Sequence, residues 1–338
     1  MDMKAWLQEL HAAKKKKAMP ILSFPSHALL GVSVGKIIAD SELQAEGMRV
    51  IAERTNAYAA VSFMDLSVEA ECFGAKVHFS EHEVPTILGR VLETPEDAEN
   101  LQVPEVGAAR SGIYIQAIEK AVARIHDRPV LAGMIGPFSL AARLLDVSEA
   151  MMYCYDEPEM METVLDKVTE FLVAYARAYK QAGSHGIVIA EPVAGMLSPS
   201  LAEEFSTPYV KKIVDAVQDD GFIVVYHNCG NNVLKMVDAI VSTGAAAYHY
   251  GNAIDLSEML KKMPSDVLVM GNVDPAGTLC DGTVDKVRRE TQVLMEKCCA
   301  YANFIPSSGC DMPPLTPWEN IEAFFDTVDE FGGNSSCV

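Results

Sequence analysis

The feature that most limits the fold of this chain is a succession of short apolar runs that alternate with helical patterns along its whole length. Helical patterns separate the runs, and no linker is long enough to divide the chain. This alternation favours a parallel barrel over an open, doubly wound sheet. We therefore predict an α/β protein with a single (β/α)8 TIM-barrel domain over residues 1–338. The eight predicted strands are residues 20–24, 59–64, 129–135, 186–190, 222–226, 245–250, 267–270 and 303–306.

Four segments fall outside this alternation. Residues 1–19 form an extension in which residues 3–13 show the pattern of a helix. Residues 75–92 alternate weakly and lack a helical period, which predicts a β-hairpin excursion. We interpret residues 95–104 as a polar linker and the Gly/Asn/Ser-rich residues 332–338 as a flexible tail.

Composition and charge exclude several classes of function. The formal net charge of −20 argues against nucleic acid and anionic membrane surfaces as partners. No apolar run approaches the roughly 20 residues that a membrane span needs. No GxGxxG motif follows the first predicted strand, so dinucleotide binding has no support. The N-terminus lacks the apolar core of a signal peptide, and the eight cysteines show no short-range framework. We therefore expect a cytoplasmic protein with reduced thiols.

The fifth predicted strand ends in His227-Asn228-Cys229-Gly230. Side chains at positions i and i+2 of a strand point to the same side, so His227 and Cys229 share a direction. Cys310 follows the eighth predicted strand, and the active sites of parallel barrels lie at the carboxyl ends of the strands. One histidine and two thiolates form three ligands of a tetrahedral zinc site with an open fourth position. The alternative interpretation is a buried histidine and two ordinary core cysteines.

Other polar residues collect at the same predicted end of the barrel. Because strand ends meet there, we expect these side chains to surround the three candidate ligands. They are Asp65, Glu191, His249, Asn252, Asn272, Asp274 and Asp311.

With these residues in place, the chain resembles the uroporphyrinogen decarboxylase superfamily. It is most similar to the zinc-dependent branch, the cobamide-dependent methyltransferases of the methylcobalamin:coenzyme M type. The resemblance covers nearly the whole chain and is most specific in the second half. Its motifs are Glu191-Pro192, Ser198-Pro199, His227-Asn228-Cys229-Gly230-Asn231, Gly271-Asn272-Val273-Asp274-Pro275, Gly309-Cys310-Asp311, Pro313-Pro314 and Pro317-Trp318-Glu319-Asn320.

The resemblance implies that His227, Cys229 and Cys310 hold a zinc ion. It further implies transfer of a methyl group from a corrinoid, carried on a separate protein, to a zinc-activated thiol such as coenzyme M, or to another acceptor such as tetrahydrofolate. A free thiol has a pKa above neutral, and zinc converts it to the nucleophilic thiolate. Glu191 stands where the family commonly carries an aspartate and is a further predicted catalytic residue. Glu191 and Asp65 are the alternative general bases if the metal does not activate the thiol.

The segment after the first predicted strand, residues 23–31, is uncharged and rich in small residues. This composition suits a flat apolar macrocycle, so we predict corrinoid contacts at Ser26, His27 and Asp65. The remaining predicted substrate or corrinoid contacts are His249, Asn252, Asn272 and Asp311. Since the sixth predicted strand carries no acid where the methyltransferases have one, His249 is either a resting fourth zinc ligand or a histidine hydrogen-bonded to its neighbours.

Two alternatives remain open from the sequence. The first alternative is the decarboxylation of uroporphyrinogen, because Asp65 matches the catalytic aspartate of the decarboxylases that the chain resembles. The substrate of those enzymes bears eight carboxylates, however, and residues 23–31 contain no arginine to pair with them. A non-catalytic zinc-binding protein is the second alternative, although structural zinc is normally closed by four protein ligands.

Overall fold

A curled sheet of seven parallel strands forms the centre of the protein, in a computed structural model that describes residues 1–333. In spatial order the sheet runs β1-β4-β5-β6-β7-β8-β9, and a separate two-stranded sheet pairs β2 with β3. The strands are β1 (Ala60–Val61), β2 (Lys76–His78), β3 (Thr86–Leu88), β4 (Val130–Ile135), β5 (Gly186–Ala190), β6 (Ile223–Asn228), β7 (Ala247–Tyr250), β8 (Leu268–Val273) and β9 (Phe304–Ser308).

Helices cover the outside of this sheet, which gives an α/β barrel-like fold as predicted. They are α1 (Met3–Ala12), α2 (Ser26–Leu30), α3 (Val34–Ile37), α4 (Ser41–Arg54), α5 (Val68–Cys72), α6 (Pro95–Asn100), α7 (Ser111–Val122), α8 (Pro137–Leu145), α9 (Val147–Asp156), α10 (Pro158–Gln181), α11 (Pro199–Phe205), α12 (Thr207–Val217), α13 (Val237–Val241), α14 (Leu256–Lys262), α15 (Val284–Cys298) and α16 (Trp318–Gly333). Short 3-10 turns occupy Ala194–Met196 and Val233–Lys235, and a π-helical turn occupies Pro275–Cys280. None of the helices in the described part combines the length and the apolar character that a membrane span requires.

The strands form because apolar, β-branched runs can be buried on both faces of a parallel sheet. Every residue of β4, β5, β6 and β9 is buried. The third to eighth predicted strands match β4 to β9 to within three residues at either end, whereas β1 is much shorter than the predicted second strand. The apolar pattern was sufficient to locate these elements.

The predicted first strand, residues 20–24, is wrong as a strand, and the described sheet has seven strands instead of eight. The segment still lies between the two ends of the sheet. The Met19 N–H donates to the Pro306 carbonyl oxygen (2.9 Å), and the Tyr58 N–H donates to the Ala18 carbonyl oxygen (2.9 Å). Because Pro20 and Pro306 have no N–H to donate, a continuous ladder cannot form here.

The barrel interior is filled by inward-facing apolar side chains. Helix α1 contributes Met3, Trp6 and Leu10 to this inner cluster, which also contains Val225 and Ile305 from the strands. The Met3 N–H donates to the carbonyl oxygen of Asp220, in the turn just before β6 (2.8 Å). The predicted N-terminal helix therefore closes the amino end of the barrel and leaves the carboxyl end for a site.

The remaining predictions about local structure had mixed outcomes. The hairpin is confirmed, since β2 and β3 pair antiparallel between Lys76 and Leu88. The linker over residues 95–104 is partly wrong, because α6 begins there with a reciprocal capping box between Thr94 and Asp97. Most of the predicted tail, residues 334–338, lies outside the described residues.

Candidate active site

Three side chains with metal-binding atoms converge at the carboxyl end of the barrel. His227 is the last residue but one of β6, Cys229 follows that strand, and Cys310 comes two residues after β9. The candidate ligand atoms all lie within 4.8 Å of one another. The Nε2 atom of His227 is 3.4 Å from Sγ of Cys310. The curling of the sheet thus brings His227 and Cys310, which are 83 positions apart in the sequence, close together.

The donor set fits a zinc ion. Zinc bound by one imidazole nitrogen at about 2.0 Å and two thiolates at about 2.3 Å, in tetrahedral geometry, requires nitrogen and sulfur atoms about 3.5 Å apart. The observed distance of 3.4 Å between His227 and Cys310 agrees with this requirement. Three protein ligands are also the number that catalytic zinc sites use, since the fourth position accepts a substrate or water.

The two thiols strongly affect each other's ionisation. The pKa of Cys229 is lowered, first because Cys310 hydrogen-bonds to its sulfur and then because His227 does. The pKa of Cys310 is raised well above its ordinary value, first by the same hydrogen bond and then by burial. One thiolate therefore forms readily at this site and the second proton is held more tightly. A metal ion that binds both sulfurs must displace that second proton.

His249 lies directly beside His227 because β6 and β7 pair with these two residues in register. The Nδ1 atoms of the two rings are 2.8 Å apart, and Nε2 of His249 is 2.8 Å from Oγ of Ser307. Both nitrogens of His249 are engaged by neighbours, so the structure does not present it as a fourth metal ligand. The arrangement matches the alternative stated above, a histidine hydrogen-bonded to its neighbours.

A cavity of about 300 Å³ opens beside His227 and Cys310. Its wall is mainly apolar, and the hairpin between β2 and β3 reaches it through Val84. Asp311 is the acidic residue in the lining, and its Oδ1 atom is buried without a hydrogen-bond partner. Burial raises the pKa of Asp311 well above its ordinary value. The other lining residues are Ile21, Met64, Leu66, Ala190, Pro192, Met312, Pro313 and Pro314.

Asp65 is bound on all sides by a polar cluster outside this lining. Its carboxylate forms a buried ion pair with Arg110 and accepts hydrogen bonds from the Tyr114 hydroxyl (3.0 Å) and the Ser67 hydroxyl. Arg110 also pairs with Glu71 at 2.7 Å. Arg110 is not among the predicted site residues, and no local pattern indicates it, because it lies 45 positions from Asp65. Both oxygens of the Asp65 carboxylate therefore have hydrogen-bond partners.

Glu191 is directed to the N-terminus of α8. Its Oε1 atom accepts from the Phe138 N–H (2.9 Å), and its Oε2 atom accepts from the N–H and the hydroxyl of Ser139 (3.0 and 2.7 Å). Burial raises the pKa of Glu191 to about 7, although these hydrogen bonds oppose the shift. Glu191 does not line the cavity. Its contacts are those of a carboxylate that caps the N-terminus of a helix.

Ser26 and His27, the predicted corrinoid contacts, are also held by backbone groups. The Ser26 hydroxyl donates to the Ser23 carbonyl oxygen (2.7 Å). The ring of His27 lies between two carbonyl oxygens, with Nδ1 3.0 Å from Val32 and Nε2 3.1 Å from Pro314. Since Pro314 lines the cavity, His27 links the segment after the predicted first strand to the cavity wall.

Asn252 and Asn272 lie together in a different depression, which they share with Asp274. The Asn272 amide donates to the carbonyl oxygens of Gly251 (3.0 Å) and Ile254 (2.9 Å). These contacts order the loop that follows β7. Of the predicted substrate contacts, Asp311 is the one that the structure brings to the cavity beside the three candidate ligands.

Comparisons with known proteins agree with this fold. The chain is 26% identical over 339 residues to a methylcobamide:CoM methyltransferase, MtbA, from Methanosarcina acetivorans, covering 96% of this chain and 97% of the relative. It is also 26% identical over 280 residues to a uroporphyrinogen decarboxylase from Desulfotalea psychrophila, covering 80% of each chain. A solved methyltransferase structure from Methanosarcina mazei superposes with a TM-score of 0.86 at 24% identity, covering 98% of this chain and 99% of that chain.

The sequence model of the family described as uroporphyrinogen decarboxylase (URO-D) matches residues 17–331. This match includes all the sheet strands and all three candidate metal ligands. The chain therefore belongs to the uroporphyrinogen decarboxylase family.

Proposed function

We propose that this protein is a methyltransferase that moves a methyl group from a methylcobamide, carried by a partner corrinoid protein, to a thiol of the coenzyme M type. The observation that carries the proposal is the convergence of His227, Cys229 and Cys310, with ligand atoms within 4.8 Å, beside an apolar cavity. The methylcobamide:CoM methyltransferase that covers nearly the whole chain supports the same reaction.

The three residues fit zinc, which when bound lowers the pKa of an acceptor thiol. The chain's own contribution is position and environment. Strand β6 and the turn after β9 hold the ligands, while the apolar wall around Met64 and Met312 excludes water from the reacting sulfur. A carbon–sulfur bond forms as the cobalt–carbon bond breaks, the electron pair stays on the corrinoid, and the thiol proton passes to solvent.

The substrates set requirements for the mouth of the barrel. The corrin ring has flat, apolar faces, and the apolar cavity wall, which includes Pro313 and Pro314, suits such a surface. We propose that Asp311 contacts a polar group of the bound substrate, because its buried Oδ1 atom has no other partner in the described part of the chain. A cytoplasmic location is part of the proposal and is supported by the cysteine pattern of the sequence.

Decarboxylation of a tetrapyrrole fits less well, even though relatives with that activity exist. The carboxylate of Asp65 forms an ion pair with Arg110 and accepts a hydrogen bond from Tyr114, whereas a catalytic aspartate needs a free oxygen. The cavity lining contains no arginine or lysine to pair with a substrate that bears many carboxylates.

The test is methyl transfer from free methylcobalamin to coenzyme M, homocysteine and tetrahydrofolate, measured anaerobically by the absorbance of cob(I)alamin. Cys229→Ser and Cys310→Ser should lose bound zinc and lower the rate by about three orders of magnitude, since several kcal/mol of stabilisation is removed. The matched control is Cys280→Ser, because Cys280 does not line the cavity and should be dispensable. Full activity in both site variants, or no transfer by the wild type to any acceptor, would reject the proposal.

A further inference from the structure

We propose that His249 and Ser307 are positioning residues that set the tautomer of His227, so that Nε2 of His227 carries the lone pair that a metal ion needs. This inference rests on the metal site of the proposed function, but it concerns residues that are not themselves ligands. It begins from an uninterrupted row of hydrogen bonds behind the site, which ends at a backbone carbonyl group.

The row has three hydrogen bonds of equal length. Nδ1 of His227 is 2.8 Å from Nδ1 of His249, and Nε2 of His249 is 2.8 Å from Oγ of Ser307. The Ser307 hydroxyl is 2.8 Å from the carbonyl oxygen of Met19. Met19 belongs to the extended segment that lies between the ends of the sheet, so the closure of the barrel supplies the last member.

The direction of every proton in the row follows from its last member. A carbonyl oxygen only accepts hydrogen bonds, so the single proton of Ser307 is donated to Met19. The oxygen of Ser307 must then accept from Nε2 of His249. A neutral imidazole that donates through one nitrogen accepts through the other, so Nδ1 of His249 accepts a hydrogen bond from the Nδ1–H group of His227.

This direction of the hydrogen bonds determines the protonation of Nε2 of His227, the ring nitrogen that faces the thiols. With its proton on Nδ1, His227 has an unprotonated Nε2, and this atom lies 3.4 Å from Sγ of Cys310. The opposite tautomer would direct an N–H at the metal position and prevent coordination. Metal-binding histidines usually donate their second N–H to a carboxylate or a carbonyl group. Here a second histidine is the acceptor, which keeps the support of the site uncharged.

The row is protected from exchange with water. His227 is 2% exposed, His249 is 1% exposed and Ser307 is fully buried. In such surroundings a hydrogen bond is stronger than in water. A histidine in the other tautomer would leave a buried donor or acceptor without a partner, which is costly. The tautomer of His227 is therefore built into the fold before any metal binds.

The experiment compares His249→Leu, which removes the acceptor, with His249→Asn, whose side-chain oxygen can replace Nδ1. Zinc affinity is measured by competition with a chromophoric chelator, and the tautomer of His227 is read from its side-chain nitrogen-15 chemical shifts in the metal-free protein. His249→Leu should weaken zinc binding by about 10- to 100-fold and give a mixture of tautomers. His249→Asn should retain most of the affinity and the Nδ1-protonated form.

If His249→Leu fails to fold, Ser307→Ala provides the test, because it removes only the hydroxyl that sets the direction of the row. It should also produce mixed tautomers and weaken zinc binding by about tenfold, and Ser307→Thr should restore both properties. Unchanged zinc affinity, or weaker binding with an unchanged His227 tautomer, would overturn the inference. A wild-type protein that binds zinc through this tautomer but transfers no methyl group would reject the proposed function alone.

Discussion

At the scale of single residues, two acidic side chains that suggest chemistry in the sequence, Asp65 and Glu191, have structural partners in the fold. Asp65 is the clearest case, because its carboxylate is buried against Arg110 and Tyr114. A buried ion pair contributes little net stability, but removing one partner leaves the other charge uncompensated. The role of Asp65 can therefore be separated from catalysis by measuring stability and activity together.

We expect Asp65→Asn to lower the free energy of unfolding by about 3 kcal/mol, since Arg110 would keep its charge in a buried position and lose its main partner. Methyl transfer to the thiol should be retained. Urea unfolding and the cob(I)alamin assay measure the two quantities.

The matched control is the double variant Asp65→Asn with Arg110→Gln, which removes both charges and should recover part of the lost stability. Lost methyl transfer with unchanged stability would instead show that Asp65 acts in the reaction.

At the scale of secondary-structure elements, α8 and β5 are joined by the buried carboxylate of Glu191. Gly136 precedes α8, and a Cβ atom at that position would lie 2.4 Å from Cγ of Glu191. The close approach therefore requires glycine. Because the first N–H groups of a helix have no partners within the helix, the carboxylate completes their hydrogen bonding.

This contact predicts a pH dependence for the Glu191→Gln variant. Burial raises the pKa of Glu191 from its ordinary value of 4.5 to about 7, so between these two pH values the native state binds more protons than the unfolded state. The contribution of Glu191 to the free energy of unfolding of the wild type then falls as the pH rises through this window, while glutamine does not titrate. The stability difference between the two proteins should shift by about 3 kcal/mol in favour of the variant.

Urea unfolding at pH 4.5 and pH 7.5 measures this shift. Methyl transfer by the variant should persist, because Glu191 caps α8 and does not line the cavity. A stability difference that is independent of pH would contradict the assigned burial effect. Loss of methyl transfer in a stable Glu191→Gln variant would show that Glu191 takes part in the reaction.

At the scale of the whole molecule, the apolar clusters that fill the barrel do not include the three candidate metal ligands. The interior is filled by an apolar cluster that extends from α1 to the strands, and helices cover the outside of the sheet. His227 is a buried residue within β6, so its position depends on the sheet and not on a metal. A catalytic site of this kind should lose its ion without losing the fold.

We expect removal of zinc by a chelator to leave the far-UV circular dichroism spectrum unchanged. Zinc at about one hundred times its dissociation constant should add about 2.7 kcal/mol to the free energy of unfolding, because it binds the native state alone. Thermal unfolding with and without the metal measures this difference. Unfolding on chelation would favour the alternative of a structural zinc protein.

The sequence by itself determined the class of fold, the hairpin and the identity of the three candidate ligands. These conclusions depend on local regularities, namely the alternation of apolar strands with helices and the shared direction of His227 and Cys229 at a strand end. Cys310 follows the last strand, and the general rule that strand ends meet in a parallel barrel predicts that it lies near His227 and Cys229. Predictions that depend only on residue spacing and strand order can be made without knowing the side-chain contacts.

The tertiary structure alone decided the partners of the buried polar groups. Arg110 reaches Asp65 across 45 positions, Glu191 turns to α8, and His249 lies behind His227 instead of at the metal position. A buried polar group must find a hydrogen-bond partner wherever packing brings one within reach, and that partner can come from any part of the chain. Likewise, Met19 lies beside β9 only because the sheet curls, so no local pattern reveals that its carbonyl oxygen accepts a hydrogen bond from the Ser307 hydroxyl.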